Sequence, residues 1–172
     1  MILFLDTEFT SLEQANPSLI SLALVDERGS YFYAELPPAS YIHRASPWVQ
    51  ANVLPLLWGG SYRVPITELP ERLITWIEAI EDRAMIVTDS PDFDFDLMLK
   101  PLLDPWPRNL ARQPMIFDSY AMGTNRQAWL SGVMADYHSV ERPDHHALHD
   151  AQALRLGLMA ALERGWMPRW PS

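Results

Sequence analysis

Phe4-Leu5-Asp6-Thr7-Glu8-Phe9-Thr10 is the stretch on which the fold turns. It closes an apolar run that starts at Ile2, and an uninterrupted run of this kind fits a strand buried on both faces. In an extended chain a two-residue spacing keeps Asp6 and Glu8 on one side. Two carboxylates aimed at one point repel and raise one another's pKa, so a divalent cation is the natural means of keeping both ionised at neutral pH. Taken alone, the pair also fits an exposed strand end or a helix cap.

A second cluster, Asp144-His145-His146-Ala147-Leu148-His149-Asp150, lies near the other end of the chain. Asp150 opens an apolar-periodic segment through Ala151, Leu154, Leu158 and Leu162, which predicts a helix. Five residues of helix turn through about 140°, so His145 and Asp150 face one site only if His145 sits in the loop or first turn ahead of the helix. Asp144 is placed to cap that helix. Without Asp6 and Glu8 the cluster reads as a solvated helix start with three surface histidines; with them it reads as the other half of a metal site.

Asp-Thr-Glu-Phe-Thr near the N-terminus, an Asp-rich middle segment and His-x-Ala-x-x-Asp near the C-terminus together resemble the DEDDh family of 3'-5' exonucleases, over essentially the whole chain. The middle motif, Asp-Ser-Pro-x-aromatic-Asp, is similar to that of small stand-alone exoribonuclease-like members. The resemblance implies an α/β fold, a ribonuclease H-like mixed β-sheet flanked by helices, with four carboxylates, two divalent ions and one histidine. It implies Asp6, Glu8 and Asp150 as metal ligands and His145 as general base. The fourth carboxylate must come from Thr88 to Met98, which offers Asp89, Asp92, Asp94 and Asp96. Asp94 follows an aromatic residue, as in the family's motif, and stands five residues after Asp89, at the polar residue ending the preceding strand. Asp92 and Asp96 suit a helix cap and a first-turn charge favoured by the helix dipole, and remain the alternatives.

By the same resemblance, two divalent ions, Mg²⁺ or Mn²⁺, straddle the scissile phosphate roughly 3.5–4 Å apart and stabilise the attacking and leaving oxygens. Asp6 bridges them, Glu8 and Asp150 complete the ion on the nucleophile side, and Asp94 supports the other directly or through water. His145 takes the proton of the attacking water. Candidate substrate contacts are Thr7 and Thr10 beside the acids, Phe9 as a stacking surface for the terminal base, and Arg142 for a phosphate. Phe9 also fits a core aromatic beneath the site, and Arg142 a solvated loop arginine. The expected substrate is the 3' end of single-stranded nucleic acid, RNA ahead of DNA. The alternatives are a DNA exonuclease of proofreading or repair type and a non-catalytic binding or subunit-interaction module.

Composition fits these expectations. A chain of 172 residues suits a single domain spanning 1–172. With no cysteine, carboxylates and histidine must carry any metal chemistry. No stretch has membrane-spanning length and no signal peptide precedes Asp6, so a cytoplasmic location with no membrane partner is the default. A net charge of -9 argues against a broad basic face for long duplex nucleic acid, though four of those charges belong to the proposed site and bound cations would locally reverse the sign. Of 13 basic residues only Lys100 is lysine; arginine suits bidentate phosphate contacts.

Three successive strands are expected at Ile2 to Leu5, Leu19 to Val25 and Tyr31 to Leu36, the last two joined through Asp26-Glu27-Arg28-Gly29. Ser46-Pro47-Trp48 reads as a capped helix start, and Leu69, Leu73, Ile77 and Ile80 have helical spacing. Ala84 to Val87 and Met115 to Phe117 read as further strands, with helices after the Asp-rich segment, around Gln127 to Tyr137 and over Ala147 to Glu163. Leu54 to Pro65, with Trp58-Gly59-Gly60, reads as a loop near substrate or a partner. The resemblance also implies a homodimer, for which seven tryptophans and the interleaved Trp166-Met167-Pro168-Arg169-Trp170 segment provide apolar means.

Overall fold

The apolar run at the N-terminus does form a strand, but the strand does not stop at the acids. In the computed structural model, which describes residues 1–167, β1 covers Ile2–Phe9 and carries Asp6, Thr7 and Glu8 within it. β2 (Leu19–Asp26) is buried along its whole length, and β3 (Tyr31–Glu35) follows a tight turn. That turn closes because the Asp26 carboxylate accepts the amides of Arg28 and Ser30, at 2.8 and 2.9 Å, while Gly29 takes a left-handed φ of +92°. β4 is Met85–Thr88 and β5 only Met115–Ile116.

The five strands form one mixed α/β sheet in the order β3-β2-β1-β4-β5. β1 pairs antiparallel with β2 and β2 with β3, whereas β1–β4 and β4–β5 are parallel. β1 is therefore the strand at which the order changes direction. Its pairing with β4 ends at Phe4–Val87, so Asp6 to Phe9 have β2 on one side and open space toward the Asp-rich segment on the other. In open sheets of this kind, ligands enter at such a switch point, beyond the carboxyl ends of parallel strands.

Alternation along β1 assigns the two faces. Leu3 and Leu5 join a core with α1 (Pro47–Asn52), α2 (Leu69–Glu78) and the wide, π-type helix Pro91–Leu99. Ile2 and Phe4 join a second core under α3 (Thr124–Tyr137) and α4 (Ala147–Glu163). Asp6 and Glu8 continue the Ile2–Phe4 series, which puts them on the face that α4 covers. Ser46 caps α1 as its sequence promised, its hydroxyl accepting the Val49 amide at 3.2 Å. Among the described residues no helix is long and apolar enough to cross a membrane.

Two expectations are corrected. Asp144 does not cap α4: His146 holds the cap position, without a side-chain bond, and Asp144 instead faces His145. Leu54 to Pro65 is a loop with two short 3-10 turns, Leu54–Leu56 and Gly60–Tyr62, beside the edge strand β3, but it does not line the cleft described below. Trp166 packs edge-on against Trp129 at 5.2 Å, on its own chain; Pro168 to Trp170, the rest of the proposed interface segment, lie outside the described residues.

Leu73 of α2 is fully buried on the face opposite Asp6 and Glu8. Leu73→Ala is expected to cost about 2–5 kcal/mol in urea unfolding. Because the carboxylates lie across the sheet, divalent-cation affinity of the folded fraction, read by calorimetry, stays at the wild-type value.

Candidate metal centre

Two elements far apart in sequence bring three carboxylates together at the open half of β1. Asp6 and Glu8 come from the strand, and Asp150 from the first turn of α4, where the helix dipole favours a negative charge. One carboxylate oxygen from each lies within 4.8 Å of the other two. All three are hard oxygen donors with room to spare on a shared side, the donor set that Mg²⁺ or Mn²⁺ takes.

Asp94 completes the acidic ring from the opposite face. It is 2% exposed, while Asp92 and Asp96 are both exposed and Asp96 pairs with Lys100 at 2.8 Å. One Asp94 oxygen accepts the Thr7 hydroxyl at 2.7 Å and the other the Thr88 hydroxyl at 2.8 Å. Each oxygen keeps a free lone pair. Asp94 stands outside the 4.8 Å group, so its place is beside the three converging carboxylates rather than among them. The π-type winding that starts at Pro91 is what turns Asp94 inward while its neighbours two residues away face solvent.

Electrostatics make this cluster costly. Burial first, then repulsion from Asp94, Asp150 and Glu8, holds the Asp6 carboxyl well above the ordinary range. Burial and the charges of Asp150 and Asp94 push Glu8 up to about 8. Asp94 is raised to about 7 by burial, with the Thr7 and Thr88 hydroxyls holding it back, and Asp150 to about 7 by burial, offset by His145. Acids that prefer to be protonated near neutrality are ones a divalent cation can charge by replacing the protons, and in that sense the residues present fit the metal.

A cleft of about 670 Å³ opens over the acids. Asp6, Glu8, Asp94, Asp150 and His145 line one end, and Leu12, Phe9, Pro47, Trp48 and Val49 form an apolar wall. His145 occupies the loop ahead of α4, as the spacing required, in a left-handed conformation with φ +63°. Its ring meets Trp48 edge-on at 4.8 Å, and its Nε2 lies 3.6 Å from Asp144 Oδ2. A smaller cavity of about 280 Å³ reaches Asp6, His145 and Asp150 from the other side and adds His138 and Asp89.

The candidate substrate contacts divide. Phe9 lines the cleft, with one face stacked on Phe93 at 5.2 Å and 5°. Thr7 lines it as well, but its hydroxyl is committed to Asp94, so its part is to hold that carboxylate. Thr10 is fully buried and ties its own loop together, donating to Gln14 and accepting the Ser18 amide; it is not a substrate contact. Arg142 is not among the lining residues, and its guanidinium lies over the Tyr137 ring at 4.5 Å. Nor are His146 and His149 surface histidines: both are buried, and burial lowers the pKa of His146 to about 4.

Sequence reasoning missed Trp48, Leu12 and His138. Trp48 and Leu12 are large apolar side chains left exposed, a signal visible only once the chain is folded. His138 has its Nε2 3.5 Å from Asp150 Oδ1, twelve residues away across a helix junction that no local pattern encodes. Comparison of the chain with protein-family models and with curated proteins finds no match.

The raised carboxyl pKa values fix the sign of a pH effect. From about pH 4 to about pH 8 these carboxyls hold more protons in the folded chain than in the unfolded one, so without metal they make it less stable as pH rises through that window; the lowered His146 and His149 oppose this only below their ordinary value of 6.5. In EDTA the melting temperature is expected to fall between about pH 5.5 and pH 8, and excess Mg²⁺ or Mn²⁺ should raise it more at pH 8. An equal metal-induced rise at both pH values would count against cation binding at these acids.

Proposed function

We propose that this chain is a divalent-metal-dependent 3'-5' exonuclease of DEDDh type, with a ribonuclease H-like fold, acting on the ends of single-stranded nucleic acid, RNA ahead of DNA. The observation that carries the proposal is the convergence of Asp6, Glu8 and Asp150, with Asp94 and His145 beside them, at the apolar-walled cleft. The strand order, with β1 central and β4 and β5 parallel to it, supports the fold assignment.

The lining of the cleft includes no lysine or arginine. A phosphodiester would meet only negative charge there, so cations held by Asp6, Glu8 and Asp150 must attract it. Bound divalent ions supply that charge and Lewis-acid polarisation of the phosphate. Thr7 and Thr88 fix the Asp94 carboxylate beside them. His145 takes a proton from the attacking water on a ring nitrogen, and Asp144, 3.6 Å from Nε2, stabilises the charged ring that results. Phe9, Leu12 and Trp48 give bases an apolar wall on which stacking contributes about 1–3 kcal/mol per base without demanding a sequence.

The test is a product ladder from matched 5'-labelled RNA and DNA oligonucleotides with Mg²⁺ or Mn²⁺, which reads activity, polarity and sugar preference at once. Single-nucleotide shortening from the 3' end, lost in EDTA, is expected. Full activity in excess EDTA would sink the metal-dependent mechanism, and a DNA ladder without an RNA one would move the assignment to a repair-type enzyme.

Asp6→Asn and Asp150→Asn are expected to abolish turnover with the fold intact, since each removes charge rather than volume. His145→Ala should lower kcat by roughly 10²–10⁴-fold. Asp94→Asn is expected to be far more damaging than Asp92→Asn, and a severe loss at Asp92 would shift the fourth carboxylate by two residues.

A further inference from the structure

His145 is the one non-glycine residue with a left-handed backbone among the described residues. That conformation is unfavourable for any residue with a Cβ and persists only where the surroundings over-determine it. The neighbouring His146 supplies the constraint. It is fully buried, and neither of its ring nitrogens has a hydrogen-bond partner, so what fixes it is ring packing. Its ring centroid lies 4.7 Å from Trp58, 4.8 Å from Tyr33 and 4.5 Å from His149, the last stacked at 28°.

Trp58 belongs to a segment with no strand or α-helix of its own. It is anchored instead by one carboxylate: Glu35, 1% exposed, accepts the amides of Trp58 and Gly59 at 2.7 and 2.9 Å and the Tyr33 hydroxyl at 2.8 Å. Trp58 also meets His149 edge-on at 5.8 Å, yet lines neither the cleft nor the smaller cavity. Through the two histidines it reaches the turn that carries His145 and Asp144.

We propose that Trp58, tied to the sheet by Glu35 and packed on His146 and His149, is a positioning residue that fixes the turn at residues 144–146 and so places the His145 ring over the carboxylates. Its consequence for catalysis rests on His145 acting as the base; the placement itself does not. Trp58 is 44% exposed, so Trp58→Ala opens a groove in the surface rather than a sealed cavity, and the fold is expected to survive.

The Trp48–His145 edge contact gives a direct readout. By NMR of the metal-free protein, the His145 ring protons should carry the ring-current shift of Trp48 and an NOE to it. Trp58→Ala is expected to remove both, and Trp58→Phe, which restores a flat ring, to retain them. Trp58→Leu, apolar but not flat, should displace His145 in the same way and serves if the alanine variant does not fold. With metal and a labelled oligonucleotide, Trp58→Ala should lower kcat about tenfold to a hundredfold, as expected of a displaced base. KM should stay within about twofold, because Trp58 does not touch substrate. Unchanged His145 shifts and an intact NOE in both Trp58→Ala and Trp58→Leu overturn the proposal, whatever the activity. If the wild-type protein cleaves no oligonucleotide while these variants still displace the His145 ring, the positioning role stands and the exonuclease assignment falls.

Discussion

The burial of four carboxylates, Asp6, Glu8, Asp94 and Asp150, at the open end of β1 is the constraint around which this fold is arranged. Bringing four carboxylates to the end of a buried strand sets burial and Coulomb repulsion against ionisation together, and the raised pKa of each is the result. A chain selected only for stability would place apolar residues at Asp6 and Glu8, continuing the series of Ile2 and Phe4 into the core under α4. On the proposed reading, what the acids lose in folding stability they return as a site that exchanges protons for cations.

Local devices keep that cost from growing. The two threonine hydroxyls on Asp94 stabilise its charged form, and Asp150 sits in the first turn of α4, where unpaired amides favour an anion. β1 outruns its pairing with β4, so the acids face a cleft instead of being sealed under a neighbouring strand. Thr7 shows how tightly placement is specified: one residue between two acids points to the other face and there holds the fourth.

Much of this was legible in the chain itself, wherever a local period encodes it. The apolar run before Asp6, the alternation that puts Asp6 and Glu8 together, and the helical spacing after Asp150 each reflect one element and its buried face. Helix geometry allowed His145 to share a site with Asp150 only from the loop or first turn ahead of the helix, and it lies in the loop. The failures share a cause. Thr7 and Thr10 were read as substrate contacts because they flank the acids, but their hydroxyls were claimed by Asp94 and by Gln14, partners set by tertiary packing. Asp144 looked like a cap, yet the left-handed turn at His145 starts the helix later. His146 meets the rings of Trp58 and Tyr33, tilted against it, from far away in the chain, and ring contacts at such separation leave no spacing to read.

If the proposed function holds, the charge pattern of the cleft binds metal and substrate into one equilibrium. With acids at its floor, apolar side chains along its wall and no lysine or arginine in its lining, a phosphodiester would gain its main Coulomb attraction there through cations the acids hold. Linkage then works in both directions: whatever factor the cations add to substrate affinity, substrate adds to cation affinity. Protons enter the same balance, because the carboxyl groups that must release them to take a cation hold them to near neutrality. On the proposed reading, metal, proton and nucleic acid therefore compete and cooperate through a single set of oxygens. Affinity for substrate and the rate of its cleavage rise and fall with the occupancy of those oxygens, so neither can be tuned by substitution at Asp6, Glu8 or Asp150 without moving the other.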